Sequence, residues 1–147
     1  TKLKLKISEY MACVLADARV YCWGGGVGTI LNQVASDSFI AQEITALRGA
    51  THIASIDKGL CAAFADQSVR CLASSESLLT VFNKLGVHQY QYPKFSSKIK
   101  DLTGGLHMLC ALLEDGKRHC LGNNYAGGMH HEGIAPALII NPVNWHP

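Results

Sequence analysis

The sequence predicts an all-β fold in which a single domain contains three repeats of about 49 residues. Cysteines occur in three pairs whose members recur at intervals of 48 or 49 residues, and similar residues surround each pair. A stretch of alternating apolar and polar residues precedes each pair, and turn-forming residues lie between its two cysteines. These observations place the repeats at about 1–47, 48–97 and 98–147.

Length and composition exclude several other classes of protein. Of the 147 residues, 48% are apolar and 16% are charged, so the chain is neither disordered by composition nor a membrane protein. A chain of this size buries roughly 68% of its unfolded surface, which permits a real core. The net charge of +2, without a dense lysine or arginine cluster, gives no sign of nucleic-acid binding. No apolar run approaches the ~18 residues of a spanning helix, so we expect no membrane span.

Each repeat begins with a predicted strand, and these strands lie at 3–7, 51–56 and 98–102. In the first strand, Lys2, Lys4 and Lys6 alternate with apolar residues. The lysines form either a basic contact stripe or the solvent-facing side of a half-buried or edge strand, where lysine discourages aggregation. We expect the second arrangement.

Turn chemistry predicts a β-hairpin between the cysteines of each pair. The loop of the first hairpin contains Asp17 and Ala18, the second loop centres on Asp66, and the third ends at Gly116 in the left-handed conformation. These loops place the two cysteines of a pair directly opposite each other, with Cα atoms about 4.5 Å apart and within disulfide range. We therefore expect the disulfides Cys13–Cys22, Cys61–Cys71 and Cys110–Cys120.

Buried free thiols and a metal site are the alternatives to these disulfides. The spacing lacks the close Cys-x2-Cys arrangement of common zinc modules, and the three pairs would have to converge in space. If the disulfides form, the protein belongs to an oxidising compartment: the cell exterior, a periplasm or a secretory lumen. The absence of an Asn-x-Ser or Asn-x-Thr sequon favours a bacterial exported protein slightly.

Two connecting segments have patterns of their own. The glycine-rich stretch 24–28 lacks the Gly-Lys-Ser/Thr sequence of a P-loop, so we interpret it as a loop that needs positive φ values. The segment 33–47 has partial 3.6-residue spacing of apolar residues, which favours a short helix within a loop.

Several spaced elements resemble repeats of the regulator of chromosome condensation family. The first repeat contains Cys22-Trp23-Gly24, and the third runs from His107 through Cys110-Ala111-Leu112 and Asp115-Gly116 to Gly122-Asn123. The similarity is strongest to cysteine-bearing extracellular and bacterial members. The second repeat departs from this pattern, because Leu72-Ala73 stands where Trp-Gly is usual and Gln67-Ser68 replaces the turn glycine.

The resemblance implies that each repeat forms a four-stranded blade of a β-propeller. The expected fold is therefore three propeller-type blades of about 49 residues in a partial propeller or arc. Propellers of this family usually close with about seven blades, and three cannot make a ring. Oligomerisation or a partner would then cover the exposed blade faces, and two chains could give a six-bladed ring.

No motif in the sequence indicates catalysis. There is no Gly-x-Ser-x-Gly nucleophile and no paired carboxylates, and His130-His131-Glu132 lacks the spacing of a metal site. We expect no catalytic residue, metal or other cofactor. We expect Trp23 to pack between blades, and the aromatic residues that could anchor a partner are Tyr90, Tyr92, Tyr125 and Trp145.

The function that these features predict is an exported, non-enzymatic module that binds or assembles with proteins, either a different protein or a second copy. A glycan-binding propeller that uses exposed aromatics such as Tyr125 and Trp145 is one alternative. Nucleotide exchange on a small GTPase, as the family's nuclear founder performs, is another. The cysteine hairpins and the missing basic patch argue against the nuclear role.

Overall fold

A computed structural model describes residues 3–7, 11–25, 27–30, 38–74, 82–105, 108–122 and 141–142. These residues form three antiparallel sheets with two short helical turns. The all-β prediction is therefore confirmed.

The first sheet contains four strands that pair in the order in which they occur. Asp17 and Ala18 both have positive φ values, 50° and 60°, which is the backbone of a two-residue hairpin loop. The strands are β1 (Lys4–Ile7), β2 (Met11–Ala16), β3 (Arg19–Gly24) and β4 (Ser38–Glu43), with helix α1 (Val27–Ile30) after β3.

The second sheet contains five strands, because an additional hairpin lies at its outer edge. Its strands are β5 (Ala50–Ile56), β6 (Gly59–Phe64), β7 (Val69–Ala73), β8 (Asn83–Gly86) and β9 (Gln89–Tyr92), which follow a 3₁₀ turn at Thr45–Leu47. The spatial order is β5-β6-β7-β9-β8, so β9 pairs with β7 and β8 forms the edge.

The third sheet has four strands in sequence order, β10 (Ile99–Gly104), β11 (Met108–Leu113), β12 (Arg118–Gly122) and β13 (Asn141–Pro142). The strands β1, β5 and β10 correspond to the three alternating stretches of the sequence. Contacts of β5 with both β1 and β10 bring these first strands together on one side of the stack.

The core consists of two apolar layers, one on each side of the second sheet. One layer lies between the first and second sheets and contains Leu15, Ile53 and Leu72. The other lies between the second and third sheets and contains Val69 and Leu109. The sheets therefore stack face to face as blades, and these three blades form an open arc that does not close.

The helix predicted for 33–47 is wrong for Ser38–Glu43, and within the described part of this segment only Thr45–Leu47 form a short helical turn. Ser38–Glu43 form strand β4, which pairs with β3 through Tyr21 opposite Glu43 and Cys22 opposite Gln42. Pairing along β3 satisfies more backbone groups than a short isolated helix, so the sheet overrides the partial helical spacing. The glycine-rich stretch includes Gly24, whose φ is 112° as its loop interpretation requires.

Candidate protein-binding surface

The three cysteine hairpins have the predicted register, and each predicted pair is a disulfide. The Cα atoms of the paired cysteines are 4.1, 4.0 and 4.1 Å apart in the three hairpins. In the third hairpin Gly116 has a φ of 86°, and in the second Gln67 has a φ of 72°. The loop lengths therefore absorb the one-residue difference in cysteine spacing. The disulfides are Cys13–Cys22, Cys61–Cys71 and Cys110–Cys120.

The disulfide divides each blade into two distinguishable faces. We call the side that carries the disulfide the cysteine face and the opposite side the plain face. Because side chains alternate along a strand, Leu60 and Leu72 next to the cysteines of the second blade lie on its plain face.

Both contacts between described blades have the same polarity. Cys13 and Cys22 of the first blade share an apolar layer with Leu60 and Leu72 of the second. Cys61 and Cys71 of the second blade share the next layer with Leu109 and Leu121 of the third. In each case the cysteine face of one blade covers the plain face of the next.

Within the part of the chain that the structure describes, this polarity leaves the plain face of the first blade without a covering blade. The register aligns four plain-face positions between blades, two on the second strand and one on each of the strands beside it. All four are buried in the second and third blades, whereas in the first blade Leu5 is 54% exposed and the other three are half-buried. In aligned order, the four positions hold Leu5, Ala12, Val14 and Trp23; then Ile53, Leu60, Ala62 and Leu72; then Leu102, Leu109, Ala111 and Leu121.

Ile7 extends this exposed apolar surface. Its side chain is 71% exposed, and its register partner Ala12 places it on the same face as Leu5. We call Leu5, Ile7, Ala12, Val14 and Trp23 the open plain face.

The lysine prediction for β1 holds in part, because β1 is the edge strand of its sheet and Lys4 is exposed, whereas Lys6 is half-buried and Lys2 lies outside the described residues. Lys6 lies opposite Cys13 on the covered cysteine face, and the Lys4 Nζ atom lies 3.5 Å from the carbonyl oxygen of Thr51 in the second blade. Leu5 and Ile7 are exposed on the opposite side of the strand, because the disulfide fixes which side packs on the next blade. Aligning Leu5 with Ile53 and Leu102 by their distance from the cysteines would have identified this surface from sequence.

The cysteine face of the third blade is the second uncovered face. Met108, Cys110 and Leu112 are half-buried, although Cys13 and Cys61 at the aligned position are fully buried. This face is more polar than its counterparts. It carries Asp101, Thr103 and Arg118, and Arg118 aligns with Val20 and Val69. We call it the open cysteine face.

The structure separates the four aromatic candidates for partner binding. Tyr90 is 4% exposed and packs in the core, so its side chain does not present a docking surface. Tyr92 is half-buried, with its ring centroid 5.3 Å from Phe82 and 4.8 Å from Phe95, and burial raises the pKa of its hydroxyl. Both side chains fill the core between the second and third blades. Tyr125 and Trp145 lie outside the described residues.

Trp23 was predicted to pack between blades. In the structure it does not lie between described blades and is half-buried on the open plain face. The aligned residues Leu72 and Leu121 do pack between blades, where they are 1% and 2% exposed. Trp23 thus has the expected interior position in a blade whose neighbour on that side is missing from the described structure.

Polar groups on covered plain faces contact the chain segment that links one blade to the next. Arg70 donates a hydrogen bond of 2.7 Å from Nη1 to the carbonyl oxygen of Ala46, and its guanidinium lies 5.4 Å from the Phe64 ring centroid. At the aligned position, His119 places its ring 5.5 Å from that of Phe95. Tyr21 is the aligned residue in the first blade, where it is half-buried.

Charged residues also meet along the first strands. His52 lies between Lys4 of the first blade and Asp101 of the third, and both charges act on its imidazole. Burial, followed by the positive charge of Lys4, lowers the pKa of His52, whereas Asp101 has the opposite effect. Lys4, His52 and Asp101 hold the same register position in β1, β5 and β10, so this position of each first strand lies near its counterpart in the neighbouring blade.

The described residues contain no group of three or more histidine, cysteine or acidic side chains that could hold a metal ion. His130, His131 and Glu132 lie outside them. Within the same part of the chain, no helix is sufficiently long and apolar to cross a membrane.

Searches of protein-family models and of curated proteins find no match, but solved structures share the fold. Prp20p from Saccharomyces cerevisiae aligns with a TM-score of 0.74 at 15% identity, over 95% of this chain and 35% of that chain. The same yeast RCC1 bound to Kap60 gives 0.69 at 14% identity, over 96% and 36%. Human WBSCR16 gives 0.65 at 18% identity, over 83% and 33%.

The chain spans about a third of the length of these solved structures. Its repeats, registers and blade stacking are those of a propeller segment rather than of a complete ring. At these identities the likeness establishes the fold alone. The chain therefore has an RCC1-like β-propeller repeat fold.

Proposed function

We propose that this chain is a non-enzymatic protein-binding module of an extracellular or other oxidising compartment, and that the open plain face is its contact surface. The observation that carries the proposal is the exposure of Leu5 at a position where Ile53 and Leu102 are fully buried. A sheet face with apolar residues at core positions marks an interaction site, because each fully covered leucine or isoleucine side chain stabilises a contact by about 1.5–3 kcal/mol.

The shape of the surface favours a protein partner. The open plain face is a sheet surface with two large aliphatic side chains, two small ones and a tryptophan, which suits packing against a second sheet. Two solved structures with the same fold are of proteins with protein partners: yeast RCC1 is bound to Kap60 in one, and Prp20p binds Gsp1p and histones in the other. For this chain the fold supports only the class of partner, a protein.

The ionisable groups support a binding role over a catalytic one. Hydrogen bonds from the Ser68 hydroxyl and backbone N–H lower the pKa of Asp66, and these bonds close a hairpin turn. The shifts of His52 and Tyr92 follow from packing between blades. Each shifted pKa thus has a structural explanation that requires no substrate.

The disulfides support the compartment. Each of the six cysteines is paired within its own hairpin, and such frameworks persist where glutathione and thioredoxin do not reduce them. Intact mass after alkylation under denaturing, non-reducing conditions tests this directly. We expect no adducts on protein isolated from its native source. Six adducts would mean six free thiols, which would contradict the oxidising compartment and favour an intracellular role.

Site-specific photocrosslinking tests the binding surface. A photoreactive amino acid replaces Leu5 in the full chain, and in a matched control it replaces Leu85, which is similarly exposed at 52% but lies on β8. In the native cellular setting we expect the Leu5 probe to give a protein adduct that excess unlabelled chain suppresses. The Leu85 probe should give none, and a glycan adduct or no adduct at Leu5 would contradict the proposal.

A further inference from the structure

We propose that the open plain face binds the open cysteine face of a second copy of this chain. This inference rests on the proposed function and names the partner. Each copy has one uncovered face of each kind, and the third blade of one copy covers the first blade of the other.

The polarity of the internal contacts is the first argument. Both described interfaces place a cysteine face on a plain face, through Cys13 and Cys22 in one and Cys61 and Cys71 in the other. Among the described residues, the open plain face of the first blade therefore has no cysteine face against it, and the open cysteine face of the third has no plain face against it. A second copy supplies both missing surfaces, so the pair closes about a two-fold axis with six blades.

The volume of the aligned side chains is the second argument. On the second strand the first blade has Ala12 and Val14, while the second blade has Leu60 and Ala62 at these positions. One small and one larger aliphatic residue are present in both blades, although their order is reversed. The open plain face can thus fill an apolar layer between blades as the second blade does. At the aligned position the Trp23 side chain has a larger apolar surface to bury than Leu72.

The charges of the first strands are the third argument. Lys4 of the first blade and Asp101 of the third blade both act on His52 of the second blade. If the same relation continues into a second copy, Asp101 meets Lys4 of that copy, and the two charges are opposite. The two-copy contact therefore joins complementary charges beside its apolar layer.

One position differs from the internal contacts. Ile7 aligns with Ser55 and Gly104, and a Cβ atom on Gly104 would collide with the carbonyl oxygen of Ser55. The larger Ile7 side chain keeps the first strands of the two copies farther apart than β5 and β10. The exposed Ile7 side chain then covers the gap that this separation leaves.

The test is the mass of the full chain in solution, measured by sedimentation equilibrium across the micromolar range. We expect twice the mass of one chain. Leu5→Asp on the open plain face and Leu112→Asp on the open cysteine face should each raise the dimer Kd about tenfold or more. Leu85→Asp is the matched control and should leave the dimer intact. Circular dichroism and disulfide mapping verify that each variant is folded.

Mixing the two variants tests which faces meet. A pair of Leu5→Asp and Leu112→Asp chains retains one unaltered contact, so the mixture should contain more dimer than either variant alone. A dimer that survives Leu112→Asp would place plain face on plain face and overturn the proposal. A second, charge-based test pairs Lys4→Asp with Asp101→Lys, where each single change should weaken the dimer and the double change restore it.

The outcomes separate this inference from the proposed function. If the wild-type chain has the mass of one copy throughout and the Leu5 probe crosslinks to a different protein, the self-pairing is wrong and the binding function stands. If the mass is that of one copy and the probe gives no protein adduct, both are wrong.

Discussion

Gln67 occupies in the second hairpin the left-handed backbone conformation that Gly116 occupies in the third, with φ values of 72° and 86°. Both residues complete a three-residue loop, in which the N–H groups of Gln67 and Gly116 donate to the carbonyl oxygens of Phe64 and Leu113. A side chain is costly in this conformation, and glycine is not. The second blade therefore folds with an unfavourable residue at its turn.

Replacing this residue is the first prediction. Gln67→Gly should raise the free energy of unfolding by about 1 kcal/mol, because it removes the strain of a left-handed side chain. Gly116→Ala, the opposite change at the matching turn, should lower it by a similar amount. Urea unfolding with the disulfides intact measures both, and a destabilised Gln67→Gly chain would show that the loop does not adopt this backbone.

Gly104 gives the second prediction, which concerns the contact between the second and third blades. A Cβ atom at this position would collide with the Ser55 carbonyl oxygen, whereas one at the neighbouring Gly105 would meet nothing within 4 Å. Gly104→Ala should destabilise the chain by about 1–3 kcal/mol through overpacking, and Gly105→Ala should change its stability little. Equal effects of the two substitutions in thermal unfolding would rule out the close approach of β5 and β10.

The third prediction concerns the order in which the disulfides are reduced. Cys110 is half-buried, while Cys13, Cys22, Cys61 and Cys71 are 0% exposed. A reductant reaches an accessible sulfur first, so Cys110–Cys120 should open before the other two pairs. The measurement uses the Leu5→Asp chain, in which the third blade is not covered by a second copy, with timed alkylation and peptide mapping. Simultaneous loss of all three bonds would indicate global unfolding instead.

The fourth prediction concerns pH and His52. The pKa of His52 in the folded chain lies below the ordinary histidine value of 6.5, because of burial first and the charge of Lys4 second. The unfolded chain therefore binds more protons, and the stability that neutral His52 contributes is complete above pH 6.5 and is lost as the pH falls through the folded pKa. Lys4→Ala should raise this pKa, as an NMR titration of the His52 ring would record. An unchanged titration would show that Lys4 does not approach His52.

Most of the fold could be predicted from the sequence because the information is local. The loops at Asp17 and Gly116 set the hairpin registers, and the registers set the disulfides, so these elements needed no knowledge of the tertiary structure. The strand at Ser38–Glu43 was missed because its pairing with β3 is not encoded in its own periodicity.

The candidate surface could not be predicted in the same way. Alternation in β1 reveals two sides, but which side is covered depends on the blade that packs there, so Leu5 is exposed while Lys6 is half-buried. Tyr90 was a candidate anchor for a partner, yet its side chain on strand β9 packs in the core. Exposure is a property of the assembly of blades rather than of a single strand.

The constant polarity of the blade contacts makes the repeat an interchangeable unit for gene duplication. A copied repeat inserted after Leu47 would present a plain face to the disulfide of the first blade and its own disulfide to Leu60 and Leu72. No neighbouring residue would need to change at the same time, because each contact between blades pairs the same two faces, a cysteine face and a plain face. Blade number can thus grow in single steps, and covalent closure of each hairpin allows one repeat to diverge, as Gln67 shows, without loss of its register.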